Sequence, residues 1–331
     1  MRGRLCSVNP AVARRGGPGA VVVIGNFDGV HQGHQAVLAA VARVARMRAL
    51  QPTMLTFQPH PAVTLGRTAP PVLTTLRRKI ELVERSCPGM EVVVREFTLD
   101  FARQTPLEFA RNVLRGELAA EVVMVGVDFR FGRDRSGGFG DLERLGAELG
   151  FEAFAEPLVC DEQGPWSSSR VRELLALGDV DAASRMLGRP HMLSGPVRLG
   201  DQRGRTLGFP TCNLAQVPEA LPAFGVYAVL VDLADDTDEH ALALGRGVAN
   251  VGIRPTLDRA GAVPLVEVHL FDLERDLYGR NLRVHLVSRI RPERKFPSLD
   301  ELRRQIAEDG ARARQMLQDA EPDPLAGGAW A

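Results

Sequence analysis

Between Ala20 and Leu187, short apolar runs alternate with segments of helical period, and this alternation restricts the fold more than any other feature of the chain. Val21 to Ile24, Thr53 to Phe57, Val92 to Arg95, Val122 to Val125 and Phe151 to Phe154 read as strands. The segment after His34 places Val37, Leu38, Val41, Val44 and Ala45 on one helical face, and Leu76, Ile80 and Val83 repeat the pattern. Thr105, Pro106 and Glu108 mark a helix start: a capping hydroxyl, proline in the first turn and a carboxylate three residues after the cap. Such βαβα alternation predicts an α/β doubly wound parallel sheet of Rossmann-like type. Ligands of these sheets bind beyond the carboxyl ends of the strands, which here carry GNFDG, QPHP and GVDFRFG.

After Leu187 the pattern changes to short strands punctuated by Gly and Pro, near Met192 to Arg198, Gly225 to Asp232, Gly247 to Val251, Leu265 to Phe271 and Leu282 to Val287. This series predicts a small β-barrel. Ser298 to Glu301 reads as a capping box opening a C-terminal helix with Leu302, Ile306, Met316 and Leu317, although Gly310 weakens its continuity. A chain of 331 residues exceeds what one core ordinarily supports. The division expected is a first domain at 1–187, a second at 188–320 and a flexible tail at 321–331.

Charge is balanced, with 41 basic and 41 acidic residues, so nucleic acid is not an expected partner. Cys6, Cys87, Cys160 and Cys212 are scattered without metal-ligand spacing and read as reduced thiols. No apolar run has the length of a membrane span, and the N-terminal residues lack an apolar stretch. A cytoplasmic protein without membrane association, monomeric or weakly homo-oligomeric, is the expectation.

The string GNFDGVHQGH at 25 to 34 follows the first strand and opens a helix. Backbone N–H groups and the positive end of the helix dipole then face a position where a polyphosphate can bind. His31 and His34, three apart, share a helical face, and Gly33 between them removes a side chain that would block a nucleotide. The imidazoles can donate to charge developing on phosphates. Two surface or capping histidines, or two ligands of a zinc site lacking evident further ligands, are the alternatives.

With LTFQPHP at 55 to 61, VGVDFRFGRDRSG at 125 to 137 and SSSRVR at 167 to 172 following in order, this string resembles the HxGH nucleotidylyltransferases. Within them it is similar to the FMN adenylyltransferase module of the bacterial bifunctional riboflavin kinase/FAD synthetases. The resemblance implies that Gly25, Phe27, His31 and His34 lie on ATP, with His31 and His34 catalytic, and that Ser168, Ser169 and Arg172 close over its phosphates. It also implies that Pro59, His60, Pro61, Asp128 and Phe131 lie near the flavin. Ser169 stands where the family usually has threonine. Taken singly, Phe131 reads rather as a strand-end core residue, Pro59 and Pro61 as turn formers, and Ser167 to Ser169 as a helix cap. Adenylyl transfer to FMN needs no general base, because the attacking phosphate oxygen is already ionised near neutral pH.

GDQRGRTLGFPTCN at 200 to 213 combines glycines and arginines in a composition suited to a backbone nest around phosphates, or equally to a flexible surface loop. The string resembles the riboflavin kinase loop of the same family, which implies ATP contacts at Gly204, Arg205, Gly208, Thr211 and Asn213, with Thr211 and Asn213 as ligands to Mg2+. Cys212 replaces the usual alanine and raises the question of oxidation sensitivity. Phosphorylating a hydroxyl requires a proton acceptor, and in LVEVHL the period-2 alternation sets Glu267 and His269 opposite Val266, Val268 and Leu270. A solvated strand glutamate is the plain reading of Glu267; the family position implies the catalytic base. His269 reads as structural, and Arg291 is placed toward the flavin.

The whole therefore resembles an enzyme that phosphorylates riboflavin to FMN and adenylylates FMN to FAD, with ATP and Mg2+ and with flavins as substrate and product rather than prosthetic group. A non-catalytic flavin or nucleotide sensor, or a cytidylyltransferase acting on another phosphorylated alcohol, are the competing readings.

Overall fold

The computed structural model describes residues 5–6, 19–199, 208–235, 241–254, 263–273, 275–318 and 320. Backbone contacts divide the chain into two compact units, one comprising residues 1–70 and 79–166, the other 71–78 and 167–331.

The first unit holds a six-stranded sheet of β1 (Leu5–Cys6), β2 (Ala20–Ile24), β3 (Gln51–Gln58), β4 (Glu91–Glu96), β5 (Ala120–Gly126) and β6 (Glu152–Glu156). Their order is β1-β4-β3-β2-β5-β6, and every pairing is parallel. The chain runs outward from β2 through β3 to β4, then returns to the far side of β2 for β5 and β6. The order reverses between β2 and β5, which locates the crevice where ligands of such sheets bind. GNFDG and GVDFRFG flank that switch point, and QPHP follows the adjoining strand.

Parallel strands covered on both faces are apolar throughout, and all five residues of β2 are buried. One face packs Val22, Ile24, Val123 and Val125 against Phe109, Val113, Leu114, Leu142 and Leu145. The Thr105 helix start is a reciprocal capping box, with Thr105 N–H donating to Glu108 at 2.8 Å and Glu108 N–H to the Thr105 hydroxyl at 3.3 Å. The helix passes at once into a π-helical stretch, Phe109–Glu117. Helix Leu76–Ser86 departs from its apolar reading, because Arg78 and Lys79 are buried alongside Leu82 and Val83.

A small antiparallel hairpin, β7 (Cys160–Asp161) with β8 (Gly164–Pro165), precedes helices Ser168–Leu177 and Val180–Leu187. In the second unit β9 (His191–Arg198), β10 (Cys212–Leu214), β11 (Gly225–Ala234), β12 (Ala241–Arg254), β13 (Val263–Leu270) and β14 (Asn281–Pro292) close an antiparallel barrel in the order β10-β13-β12-β11-β14-β9. Tyr227, Ala249, Val251, Val266 and Val268 face one side. Val226, Ala228, Leu230 and Val248 face the other, where Ala313 and Leu317 of the C-terminal helix Leu299–Met316 cover them.

That helix runs unbroken through Gly310, where a Cβ would stand 3.7 Å from the Phe271 ring, an ordinary packing distance. At its start the Ser298 hydroxyl accepts from Glu301 N–H at 3.3 Å, so the capping contact runs in one direction rather than as the full box expected. β10 is the barrel strand that hydropathy missed, because three residues are too few to display a period. Among the described residues no helix is long and apolar enough to cross a membrane.

Candidate active sites

The first site begins where β2 ends. Gly25 N–H donates to the Leu55 carbonyl at 3.1 Å, and the chain then turns through Phe27 at φ 48°, Gly29 at φ 81° and Val30 at φ 40°. Glycine adopts this left-handed region freely, but each bulky residue there costs about 1–2 kcal/mol. Strain at two bulky residues within four positions is the kind that accumulates at binding sites. Phe27 is buried and packs on His34, with ring centroids 4.8 Å apart.

His31 caps helix Gln32–Arg48: its Nδ1 accepts from His34 N–H at 3.3 Å. The two imidazoles stack at 3.7 Å with 20° between their planes. Gly33 permits this, because a Cβ there would lie 3.0 Å from His31 Nδ1. His31 thus caps the helix from an extended position before its first residue instead of lying on its face, and its ring reaches His34 from there. Among the described residues, buried His34 Nδ1 has no hydrogen-bond partner. Burial first, then the neighbouring His31 and Lys79, hold the His34 imidazole well below its ordinary 6.5. An orphaned buried nitrogen costs about 1–3 kcal/mol, which a ligand able to pair with it would recover.

His60 is drawn into the same neighbourhood. Its Nδ1 accepts from Ala62 N–H at 3.2 Å, capping the short helix Pro61–Thr64, while Nε2 lies 3.1 Å from the Asn26 carboxamide. The carboxamide atom that faces Nε2 is Asn26 Nδ2. Asn26 thus joins QPHP to GNFDG, a link that spacing did not reveal. Pro59 and Pro61 flank His60 and are half-buried, whereas Asp128 is exposed just beyond β5. Phe131 is 6% exposed and packs within the sheet core against Phe109 and Phe129. Its plain reading as a strand-end core residue describes its placement, since the chain folds back there through paired backbone bonds between Phe131 and Gly137.

Ser168, Ser169 and Arg172 belong to the second compact unit. Ser167, one residue earlier, supplies the helix cap by accepting from Arg170 N–H at 3.2 Å. Arg172 Nε donates to the Pro71 carbonyl at 2.6 Å, and Ala220 N–H to the Val72 carbonyl at 2.7 Å, so segment 71–78 is stitched into the barrel unit.

The second site is built by strand register. Asn213 on β10 and Asn250 on β12 both stand directly opposite Glu267 on β13. Residues opposite one another in a ladder project to the same face, so Asn213, Glu267 and Asn250 form one row. Val266, Val268 and Leu270 are buried while Glu267 and His269 are half-buried, as the alternation of LVEVHL predicts. His269 lies 2.8 Å from the Pro210 carbonyl through Nδ1, and its ring contacts Phe209 and Phe271 edge-on at 5.5 and 6.0 Å. With Nδ1–H donating, His269 anchors the segment leading into Thr211. Its structural reading is sharpened to that of a loop anchor.

Gly208, at φ 87°, and Thr211 are among the described residues of the glycine-rich string, while Gly204 and Arg205 lie outside them. Burial, with the Asp276 carboxylate adding to it, pushes the Cys212 thiol above its ordinary value. The thiolate that oxidation requires is thereby disfavoured, against the sensitivity considered from sequence. Arg291 is engaged away from an open surface. Its Nε donates to Asp309 at 2.9 and 3.1 Å, NH2 lies 2.8 Å from the same carboxylate, and NH1 donates to the Pro292 carbonyl at 3.0 Å. Asp309 is 4% exposed on the C-terminal helix, so Arg291 ties that helix to β14.

Residues 15–170 match the family model described as FAD synthetase, and residues 187–317 the one described as riboflavin kinase. A bifunctional riboflavin kinase/FMN adenylyltransferase of Escherichia coli K12 is 40% identical over 304 residues, covering 90% of this chain and 93% of the relative. The chain belongs to the bifunctional riboflavin kinase/FMN adenylyltransferase family. Relatives of the same name from Haemophilus influenzae and Bacillus subtilis are 38% and 35% identical, covering 88% and 89% of this chain and 92% and 91% of theirs. The crystal structure of a macrolide-efflux protein from Streptococcus pneumoniae is similar, with a TM-score of 0.80 and 31% identity over 93% of this chain and 97% of that one. Both constellations described above fall within the matched spans of this family, the first in its FAD synthetase part and the second in its riboflavin kinase part.

Proposed function

We propose that this chain phosphorylates riboflavin to FMN at the barrel site and adenylylates FMN to FAD at the parallel-sheet site, consuming ATP at each. The observation that carries this reading is that one chain assembles both constellations: stacked His31 and His34 at the switch point, and Glu267 between Asn213 and Asn250 in the barrel ladder. The modules divide at 187/188, with 188–320 as the kinase module. The spans of the two family models, 15–170 and 187–317, support that division.

At the first site, Gly25, Phe27, His31 and His34 receive ATP. A phosphate oxygen of FMN attacks the α-phosphorus, and the bond to the β-phosphate breaks with release of pyrophosphate. No proton has to be removed from the nucleophile, so the residues act by positioning and by donating to phosphate charge. The orphaned Nδ1 of His34 and the strained turn below it support a site shaped for a ligand. Pro59, His60, Pro61 and Asp128 form the flavin side, with Phe131 supporting it from the core.

At the second site Glu267 accepts the proton of the riboflavin hydroxyl as its oxygen attacks the γ-phosphorus of ATP, releasing ADP. Gly204, Arg205, Gly208, Thr211 and Asn213 cradle the nucleotide, and Arg291 holds the adjoining helix. Mg2+ prefers hard oxygen ligands, and the hydroxyl and carboxamide oxygens of Thr211 and Asn213 beside a carboxylate suit it. When bound it neutralises phosphate charge. The protein acts as a monomer or weak homo-oligomer in the cytoplasm.

Incubating the purified chain with riboflavin, ATP and Mg2+ and separating the flavins tests the reading. FMN and FAD are the products expected; production of neither overturns it.

A further inference from the structure

Phe209, Pro210 and Thr211 lie between Gly208, at φ 87°, and the first residue of β10, outside the barrel ladder. Pro210 has no N–H to give to a neighbouring strand, so the backbone group by which the chain can be tied at that residue is its carbonyl. His269 on β13 takes it, with Nδ1 2.8 Å from that oxygen. A carbonyl only accepts, so Nδ1 carries the proton, in the neutral and in the protonated ring alike. The same imidazole meets the Phe209 ring edge-on, with centroids 5.5 Å apart. One side chain therefore holds a backbone oxygen and a neighbouring ring of the segment that ends in Thr211.

The imidazole is itself braced. Its ring meets Phe271 edge-on at 6.0 Å, and the guanidinium of Arg314, on the C-terminal helix, lies 4.2 Å over the Phe271 ring. Arg314 in turn donates to the Asp272 carboxylate at 2.7 and 3.0 Å.

Register connects this anchor to the base. Cys212 stands opposite Val268 and Asn213 opposite Glu267, so one step further along the same antiparallel ladder Thr211 comes level with His269. Glu267 and His269 project to one face of β13, about 7 Å apart along the strand. The strand that carries the proton acceptor thus also carries the group that sets where Thr211 stands. A displacement of about 1 Å between reacting groups can slow a step by about 10²-fold, so a frame shared by the two sides of the reaction has kinetic weight.

We propose that His269 is a positioning residue of riboflavin phosphorylation: through its Nδ1–H on Pro210 and its ring on Phe209, it holds Thr211 in register with Glu267. The inference rests on the kinase function proposed for the barrel site. His269 takes no proton from the substrate. The hydroxyl proton goes to Glu267 as the oxygen bonds to the γ-phosphorus, and ADP leaves with the electron pair of the broken bond.

The test uses the full chain and compares wild type with His269→Phe, which keeps a ring and loses the donor, and His269→Asn, whose amide N–H stands near the place of Nδ1. FMN formation from riboflavin and FAD formation from FMN are followed in the same preparations, and hydrogen exchange of the peptide spanning 209–214 is read by mass spectrometry. A wild type that forms no FMN refutes the function proposed for the barrel, a result distinct from failure of the role of His269. Given an active wild type, His269→Phe is expected to lower kcat/KM for ATP in riboflavin phosphorylation by about ten- to a hundredfold. FAD formation and KM for riboflavin should stay within about threefold, and exchange in 209–214 should speed up. His269→Asn should recover most of the loss and slow the exchange again, which a role confined to ring packing would not produce. A kcat/KM for ATP within about threefold of wild type in His269→Phe, an equal loss in His269→Asn, or a loss with unchanged exchange at 209–214 overturns the assignment. If His269→Phe does not fold, His269→Gln, whose amide stands in the place of Nε2 instead, is read by the same criteria; failure of both to fold makes His269 a residue of barrel stability and overturns the positioning role.

Discussion

Glu267→Gln separates chemistry from structure at the barrel site. The carboxamide keeps the size of the side chain and one oxygen acceptor, and it remains between Asn213 and Asn250 in the ladder. Glu267 is half-buried, so the change leaves no buried unpaired charge, and stability should move by no more than about 0.5 kcal/mol. What is lost is the capacity to accept a proton. Removing a general base slows the step by about 10²–10⁴, equivalent to roughly 3–5 kcal/mol of barrier. The effect should fall on kcat for riboflavin phosphorylation at saturating ATP. FMN adenylylation, whose nucleophile is already ionised, should stay within about twofold. Stopped-time chromatography of the flavins, with riboflavin as substrate in one series and FMN in the other, measures both. A kcat for phosphorylation within about threefold of wild type, in a protein with an unchanged urea midpoint, refutes Glu267 as the base. A change confined to KM for ATP makes it a nucleotide-side group instead.

The reverse dissociation is expected of His31→Asn. Asparagine is a strong helix cap, so the start of helix Gln32–Arg48 should hold, while FAD formation falls by about 10²–10³ and riboflavin phosphorylation is retained; loss of both activities in the folded variant contradicts separate sites. Asp309→Ala leaves the Arg291 guanidinium without its carboxylate, and urea unfolding should register a loss of about 3 kcal/mol, the low end for a broken buried pair because the Arg291 side chain keeps 16% of its surface exposed. A loss below about 0.5 kcal/mol would show that the pair does not anchor the helix. Since the His34 pKa is depressed on folding, the unfolded chain takes up this proton first as pH falls below 6.5. The His34 contribution to stability is therefore present above 6.5 and lost as pH falls toward the folded value, so unfolding curves between about pH 7 and 5 should be steeper with pH for wild type than for His34→Gln; equal slopes would place no titration at this residue.

What local pattern encodes was legible in the sequence. His31 and His34 could be brought together at a helix start, the Thr105 cap recognised, the strands of the parallel sheet located, and Glu267 set apart from Val266 and Val268, because 3.6- and 2-residue periods relate residues a few positions apart. The change of pattern after Leu187 likewise distinguished the barrel from the sheet, and the resemblance of ordered motifs supplied the chemistry that no single residue could. Helix continuity through Gly310 went the other way from its local propensity, since packing on the barrel outweighs the roughly 1 kcal/mol that glycine costs a helix.

Tertiary structure alone decided partners that are distant along the chain. Nothing in the spacing of Asn213, Asn250 and Glu267 announces that three strands bring them into one row, because register depends on which strands pair and with what offset. The same holds for Asn26 beside His60, for Arg291 turned onto Asp309 instead of an open face, and for Phe131 inside the core. Lys79 is the sharpest case: on a helical wheel it is one of three basic residues in a first turn, an ordinary solvated group. Its burial exists only after the chain has folded, since electrostatic environment is set by every atom that excludes water and not by neighbours in sequence.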